Sequence, residues 1–125
     1  WKWFNNSFTF NFINIKNSLF LSTQDGIRIF NVDKIAYFMA EGSYSTIYLD
    51  DGSSTTISKS LSTIQRNLKN YNFIRCHNSY LINSMKIEKY SRRNKNITIG
   101  EYVIPISRRK CHLIIEFLKS INDQI

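Results

Sequence analysis

The sequence predicts a mainly β domain of about eight to ten short strands with one or two short helices. Three observations carry that expectation. β-Branched and aromatic residues recur in short runs, the composition that fits a pleated, half-buried surface. The four glycines stand where turns belong: three follow Asp25, Glu41 and Asp51, and Gly100 follows a short apolar run. Apolar residues at helical spacing occur in only two places. A hydrophobic content of 42% excludes a disordered chain, and 125 residues suffice for one core.

The elements follow in order. "FTFNFINI" alternates as a strand would, and the preceding "WKWFNN" reads as linker, so residues 1–17 are a linker or an extra strand. "SLFLST", "IRIF" and "KIAYFMA" read as three strands separated by Asp25-Gly26 and Val32-Asp33. "YSTIYL" and "STTIS" flank an Asp-Gly pair, a strong hairpin signal. Ser58 or Ser60 could cap a helix over "LSTIQRNL", where Leu61, Ile64 and Leu68 share a face. "MKIEKY" reads as a strand, then "SRRNKN" as a basic turn, then "ITI" and "YVIPI" as a hairpin around Gly100-Glu101. Pro105 suits an edge. Ser107 is placed to cap a last helix through Leu113, Ile114, Phe117 and Leu118. Residues 18–120 thus form the domain, and 121–125 a tail.

Catalytic and metal chemistry find little footing. Cys76-His77 and Cys111-His112 are adjacent pairs, whose members diverge on a strand or helix and are badly placed to share a proton or a metal ion. Structural zinc sites space paired ligands by two to five residues. There is no phosphate-binding glycine loop and no nucleophile elbow. The acids are scattered among turns. The chain is read as no enzyme, with no cofactor and no metal. Two cysteines make no disulfide scaffold; with no export signal, a cytoplasmic location is expected.

Charge is more informative. The net charge is +8, yet residues 1–62 are neutral, 63–85 contribute +3, 86–112 contribute +6 and the rest −1. A basic half on a neutral half suits a polyanion partner. "SRRNKN" holds Arg92, Arg93 and Lys95 at a turn, and "SRRK" places Arg108, Arg109 and Lys110 where a helix would begin. Cations there oppose the helix dipole, and a phosphate neighbour would supply the reason. "FIRCHNSYLIN" sets Arg75, His77, Asn78, Ser79 and Asn83 inside an apolar run. Arg and Asn are residues that read base edges, and Ser79 suits a phosphate. Asn83, followed by Ser84, fits better as a local cap.

These stretches carry a resemblance. "DKIAYFMAEGSYSTIYLDDG", "SLSTIQRNL", "FIRCHNSYLINSMKIEKY" and "IPISRRK", in this order, resemble the LytTR DNA-binding domain of bacterial transcriptional regulators. The likeness spans Leu19 to Leu118, and its specific part is Phe-x-Arg-x-His-x-Ser-Tyr-x-x-Asn. It implies an elongated, multi-sheet β fold whose loops enter the DNA major groove. Carried across, Asn78, Arg108, Ser45 and Tyr44 would contact bases. Ser43, Arg75, His77, Ser79, Ser107, Arg109 and Lys110 would contact the backbone, joined on charge alone by Arg92, Arg93 and Lys95. The implied partners are double-stranded promoter DNA, in paired sites and by a dimer, and an upstream receiver or sensor domain of a two-component system. A single-stranded nucleic-acid binder and a protein-interaction module are the alternatives.

Overall fold

The computed structural model describes residues 17–122; the strand expected in "FTFNFINI" lies outside them. β1 (Ser18–Thr23) and β2 (Gly26–Asn31) form a two-stranded sheet. A 3-10 turn, Val32–Lys34, leads to β3 (Ile35–Glu41) and β4 (Tyr44–Leu49), then β5 (Ser54–Ile57) and α1 (Leu61–Asn67). β6 (Phe73–His77) and β7 (Tyr80–Asn83) complete a five-stranded antiparallel sheet of order β5-β4-β3-β7-β6. After a second 3-10 turn at Ser84–Lys86 come β8 (Lys89–Ser91), β9 (Asn96–Ile99) and β10 (Tyr102–Pro105), a three-stranded sheet of order β10-β9-β8. A third 3-10 turn, Arg108–Lys110, precedes α2 (Cys111–Ile121). The fold is mainly β, ten strands in three sheets with two short helices.

The central sheet is apolar on both faces, because a core packs against each. One core joins Leu21 and Phe30 of the β1–β2 hairpin, Leu61 and Ile64 of α1, and Phe38 and Ile47. The other joins Tyr37 and Cys76 to Ile97 and Ile104 of the small sheet and Ile114 of α2. A register shift between Ile35 and Tyr37 turns Ala36 and Tyr37 toward the same core, which is why Ile35–Phe38 is one buried run. Tyr37 stacks on Tyr48 at 4.6 Å between centroids and meets Tyr102 edge-on at 5.1 Å. Burial, then the neighbouring tyrosines, push the Tyr37 phenol up to about 12. No helix among the described residues is long and apolar enough to cross a membrane.

Three local expectations resolve in detail. Ser60, not Ser58, caps α1, its hydroxyl accepting from the Thr63 amide at 3.3 Å. "MKIEKY" is strand only from Lys89, because Asn83 ends β7 and initiates a 3-10 turn by accepting from the Met85 amide at 3.2 Å. Its amide nitrogen donates to the Ile35 carbonyl at 2.9 Å, so this buried Asn is a satisfied cap. Ser107 does not cap α2: the helix starts at Cys111, beyond the intervening 3-10 turn, and the hydroxyl makes no cap bond.

Candidate nucleic-acid interface

Three backbone hydrogen bonds gather most of the sequence-predicted residues at one end of the sheets. The Ala40 amide donates to the Ser79 carbonyl at 2.8 Å, which ties the β3–β4 turn to the β6–β7 turn. The Ser107 amide donates to the Cys76 carbonyl at 2.9 Å, which ties the Ser107–Lys110 segment to the base of the β6–β7 turn. The Ile106 amide donates to the Lys95 carbonyl at 2.9 Å, which ties that segment to the basic β8–β9 turn. Residues far apart in sequence thereby share one rim, held by main-chain bonds that no side-chain substitution removes.

The β6–β7 turn is the most constrained part. Asn78 and Ser79 bridge His77 and Tyr80 without positive φ, and a register shift between Ile74 and His77 absorbs the turn's twist. His77 Nδ1 accepts from the Ser79 amide at 3.1 Å, and its ring meets Tyr80 edge-on at 5.5 Å. Arg75 Nε donates to the carbonyls of His77 at 3.1 Å and Asn78 at 3.2 Å, Nη2 donates to Asn78, and Nη1 donates to Gln65 Oε1 of α1 at 2.9 Å. Burial holds the Arg75 pKa below the ordinary arginine value. Its donors face inward, so Arg75 clamps the turn instead of offering a free guanidinium. Asn78 is exposed, and its side-chain amide bonds to nothing among the described residues.

The β3–β4 turn is a two-residue loop, Gly42-Ser43, closed by the Glu41–Tyr44 pair. Gly42 has φ of +66° and Ser43 does not, the pattern of a type II′ turn that requires glycine first. Ser43 is exposed, and Tyr44 is 52% exposed. Ser45 overturns its expected role. It is fully buried, and its hydroxyl donates to the Lys59 carbonyl at 2.8 Å, which leaves no surface for a base. Alternation along β4 sets Ser45 on the face of Ile47, which packs in the core with α1, while Tyr44 stands on the opposite face at the strand's exposed end. The same bond brings Lys59, an exposed cation missed in the sequence, to the edge of the rim. Its signal was a lysine immediately before a capping serine.

Arg108 and Arg109 are exposed on the 3-10 turn, and Lys110 is half-buried. Arg108 forms no hydrogen bond or ion pair among the described residues. Nor does any side chain cap α2, so its N-terminal amides lie beside three cations. Arg92 and Arg93 are exposed in the β8–β9 turn, where the Ser91 hydroxyl accepts from the Asn94 amide at 3.1 Å and Lys95 takes φ of +52°. Cys76 is buried beneath the rim, and burial pushes its thiol up to about 12; Cys76 and Cys111 are both free. No group of three or more His, Cys, Asp or Glu that could hold a metal occurs among the described residues.

The opposite end of the sheets has the other sign. Asp50 and Asp51 in the β4–β5 turn, Glu88 before β8 and Glu101 in the β9–β10 turn line one open cleft with Lys86, which pairs with Asp50 at 2.8 Å. The domain is thus electrically polar, basic at the rim and acidic at the far end. Among the acids outside that cleft, Glu41 is exposed beside Gly42, on the rim itself.

Residues 25–119 match the family model of the LytTr DNA-binding domain. Among solved structures, the chain is similar to the LytTr DNA-binding domain of a Bacillus cereus protein described as a methyl-accepting/DNA response regulator. That similarity has a TM-score of 0.67 at 22% identity and covers 82% of this chain and 96% of the other. No curated protein matches the chain.

Proposed function

The chain belongs to the LytTr DNA-binding domain family, and from that premise we propose that it reads double-stranded DNA by inserting the basic rim into the major groove. It does so as the output module of a bacterial transcriptional regulator. The observation that carries this reading is the stitching of three separate loops into one cationic rim with acids at the far end. Arg108 and Asn78 are the base readers: a guanidinium can grip guanine O6 and N7, and an Asn amide can grip adenine N6 and N7. Both are unengaged within the domain and project from backbone fixed elsewhere. Tyr44 offers one hydroxyl and modest discrimination. Ser43, Ser79, Ser107, Arg109, Lys110, Arg92, Arg93, Lys95 and the added Lys59 contact phosphates and set the register. His77 and Arg75 serve by holding the turn.

Electrostatics set the affinity and its salt dependence. If the six cations Lys59, Arg92, Arg93, Lys95, Arg109 and Lys110 each neutralise one phosphate, the log–log salt slope approaches about −5, at roughly −0.9 per contact. The four tyrosines 37, 48, 80 and 102 pack on one another, which disfavours an aromatic platform for single strands. Occupation of paired promoter repeats by a dimer belongs to the same proposal.

The test is fluorescence anisotropy with random duplex DNA and matching single strands at several salt concentrations. The proposal expects duplex preference with binding that falls steeply with salt, and two chains per selected repeat pair. Preference for single strands, or no binding by the folded domain at low salt, would overturn it.

A further inference from the structure

The peptide unit between Asn78 and Ser79 is gripped at both ends by side chains of β6. Its carbonyl accepts from Arg75 Nε at 3.2 Å and from Arg75 Nη2, and its amide donates to His77 Nδ1 at 3.1 Å. One residue on, the Ser79 carbonyl accepts from the Ala40 amide at 2.8 Å. The unit is planar, so holding both of its ends fixes the direction in which the Asn78 Cα–Cβ bond leaves the turn. The Asn78 side chain itself is exposed and engaged by nothing among the described residues. Reading an adenine edge takes two hydrogen bonds at once, which makes discrimination sensitive to that direction.

The grip has its own anchor. Arg75 Nη1 donates to Gln65 Oε1 at 2.9 Å, across ten residues of sequence. A guanidinium is planar and rigid, so holding Nη1 also sets the plane in which Nε and Nη2 reach the turn. Gln65 stands on α1, which Ser60 caps and which Leu61 and Ile64 fix in the core, with buried Leu68 just past its end. Gln65 is exposed, so packing does not account for it. The rigid helix thus reaches the base reader through two side chains in series.

The chemistry of that anchor is selective. Every acceptor of Arg75 is neutral: the carbonyls of His77 and Asn78 and the Gln65 amide. No carboxylate pairs with Arg75 among the described residues. A carboxylate at position 65 would hold the guanidinium more strongly, but it would also set a negative charge on the basic rim. An amide holds the same geometry and leaves the charge of Arg75 uncancelled.

Resting on the DNA-reading proposal above, we propose that Gln65 is a positioning residue for base recognition. It holds Arg75 from α1, Arg75 holds the Asn78–Ser79 peptide, and residue 65 thereby sets how sharply Asn78 discriminates between bases.

Three variants test this, in the free domain and on DNA. Asn78→Ala identifies the base pair that Asn78 reads, as the position it relaxes. Gln65→Met, close in shape but without an acceptor, should speed exchange of the Ser79 amide by about tenfold while the Phe38 and Leu81 amides exchange as before. On DNA it should cut discrimination at the Asn78 base pair by about five- to tenfold and change affinity for random duplex by less than about twofold. Adding Asn78→Ala to it should cost nothing further at that position, because both act through one contact. Gln65→Glu should keep the Ser79 protection and the discrimination, yet weaken binding to every duplex alike at low salt. Unchanged Ser79 exchange or unchanged discrimination in Gln65→Met, beside a selective unaltered chain, would overturn the role of Gln65 alone. So would a loss spread equally over all duplexes. An unaltered, folded chain that distinguishes no duplex sequence would overturn the DNA-reading proposal, and this inference with it.

Discussion

The two ends of this domain are built from the same elements, yet they carry opposite chemistry. At the rim, two-residue turns expose Ser43, Asn78 and free cations, and main-chain bonds from Ser79, Cys76 and Lys95 hold them. At the far end, the turns carry Asp50, Asp51 and Glu101, and main-chain bonds such as the Asp50 amide to the Lys34 carbonyl at 2.9 Å are joined by side-chain bonds: Asn83 to Ile35, Lys86 to Asp50, and the Tyr102 hydroxyl to the Leu49 carbonyl at 2.9 Å. At the rim, the bonds of Arg75, His77 and Ser45 hold the turns while Asn78 and Arg108 stay free for a ligand. At the far end, Asn83, Lys86 and Tyr102 are engaged within the domain and are structural. Substitutions at the rim should therefore cost affinity, and substitutions at the far end should cost stability.

The largest effect is expected at the base readers. Arg108→Ala and Asn78→Ala should each weaken binding to a selected operator by about 1–3 kcal/mol and relax one base position, with thermal stability unchanged. Equal losses on selected and random duplexes would remove them from base readout. At the far end the pattern inverts. Asn83→Leu leaves the Ile35 carbonyl and Met85 amide unpartnered and should lower stability by about 1–3 kcal/mol in a denaturant titration, with the affinity of the folded fraction intact.

Alkaline pH offers a third separation. The Cys76 thiol, ordinarily near 9.0, and the Tyr37 phenol, ordinarily near 10.0, are both raised to about 12, chiefly by burial. Below pH 9 both are protonated in either state and their contribution is complete. As pH rises from 9 toward 12, the unfolded chain loses these protons first, so stability should fall across that window. Cys76→Ala should flatten the fall, and a pH series of urea midpoints reads it. Under mild alkylation Cys111 should label well before Cys76. Smaller still, Arg93→Ala should weaken binding to every duplex alike and reduce the salt slope by about one. The smallest change is expected from Glu41→Gln, which removes the one exposed acid beside the β3–β4 turn and should tighten binding slightly at low salt only.

Much of this organisation was legible in the sequence. Period-two runs and Asp-Gly pairs marked the strands; β4 spans Tyr44–Leu49, the whole "YSTIYL" run. The polar island in "FIRCHNSYLIN" marked the β6–β7 turn, because Asn78 and Ser79 interrupt apolar residues that pair across it. What could not be read depended on distant partners. Ser43 and Ser45 look alike in sequence, but Ser43 lies in the turn, while Ser45 lies within β4, where its hydroxyl reaches the distant Lys59 carbonyl. Arg75 resembles a phosphate ligand until Gln65, ten residues earlier, is seen to hold its outer nitrogen. The late start of α2 follows from the Ser107 amide bonding to Cys76, which holds the segment off helical geometry. Burial on both faces of β3 hid its alternation altogether.

The most direct test of the division between the two ends is amide chemical-shift mapping during titration with a short duplex at moderate salt. The expected result is movement of Ser43, Asn78, Ser79 and Ser107–Lys110, with Asp51, Gly52, Gly100 and Glu101 unmoved. Shifts centred on the acidic turns, or spread evenly over both ends, would contradict the assignment of the basic rim as the DNA-reading surface.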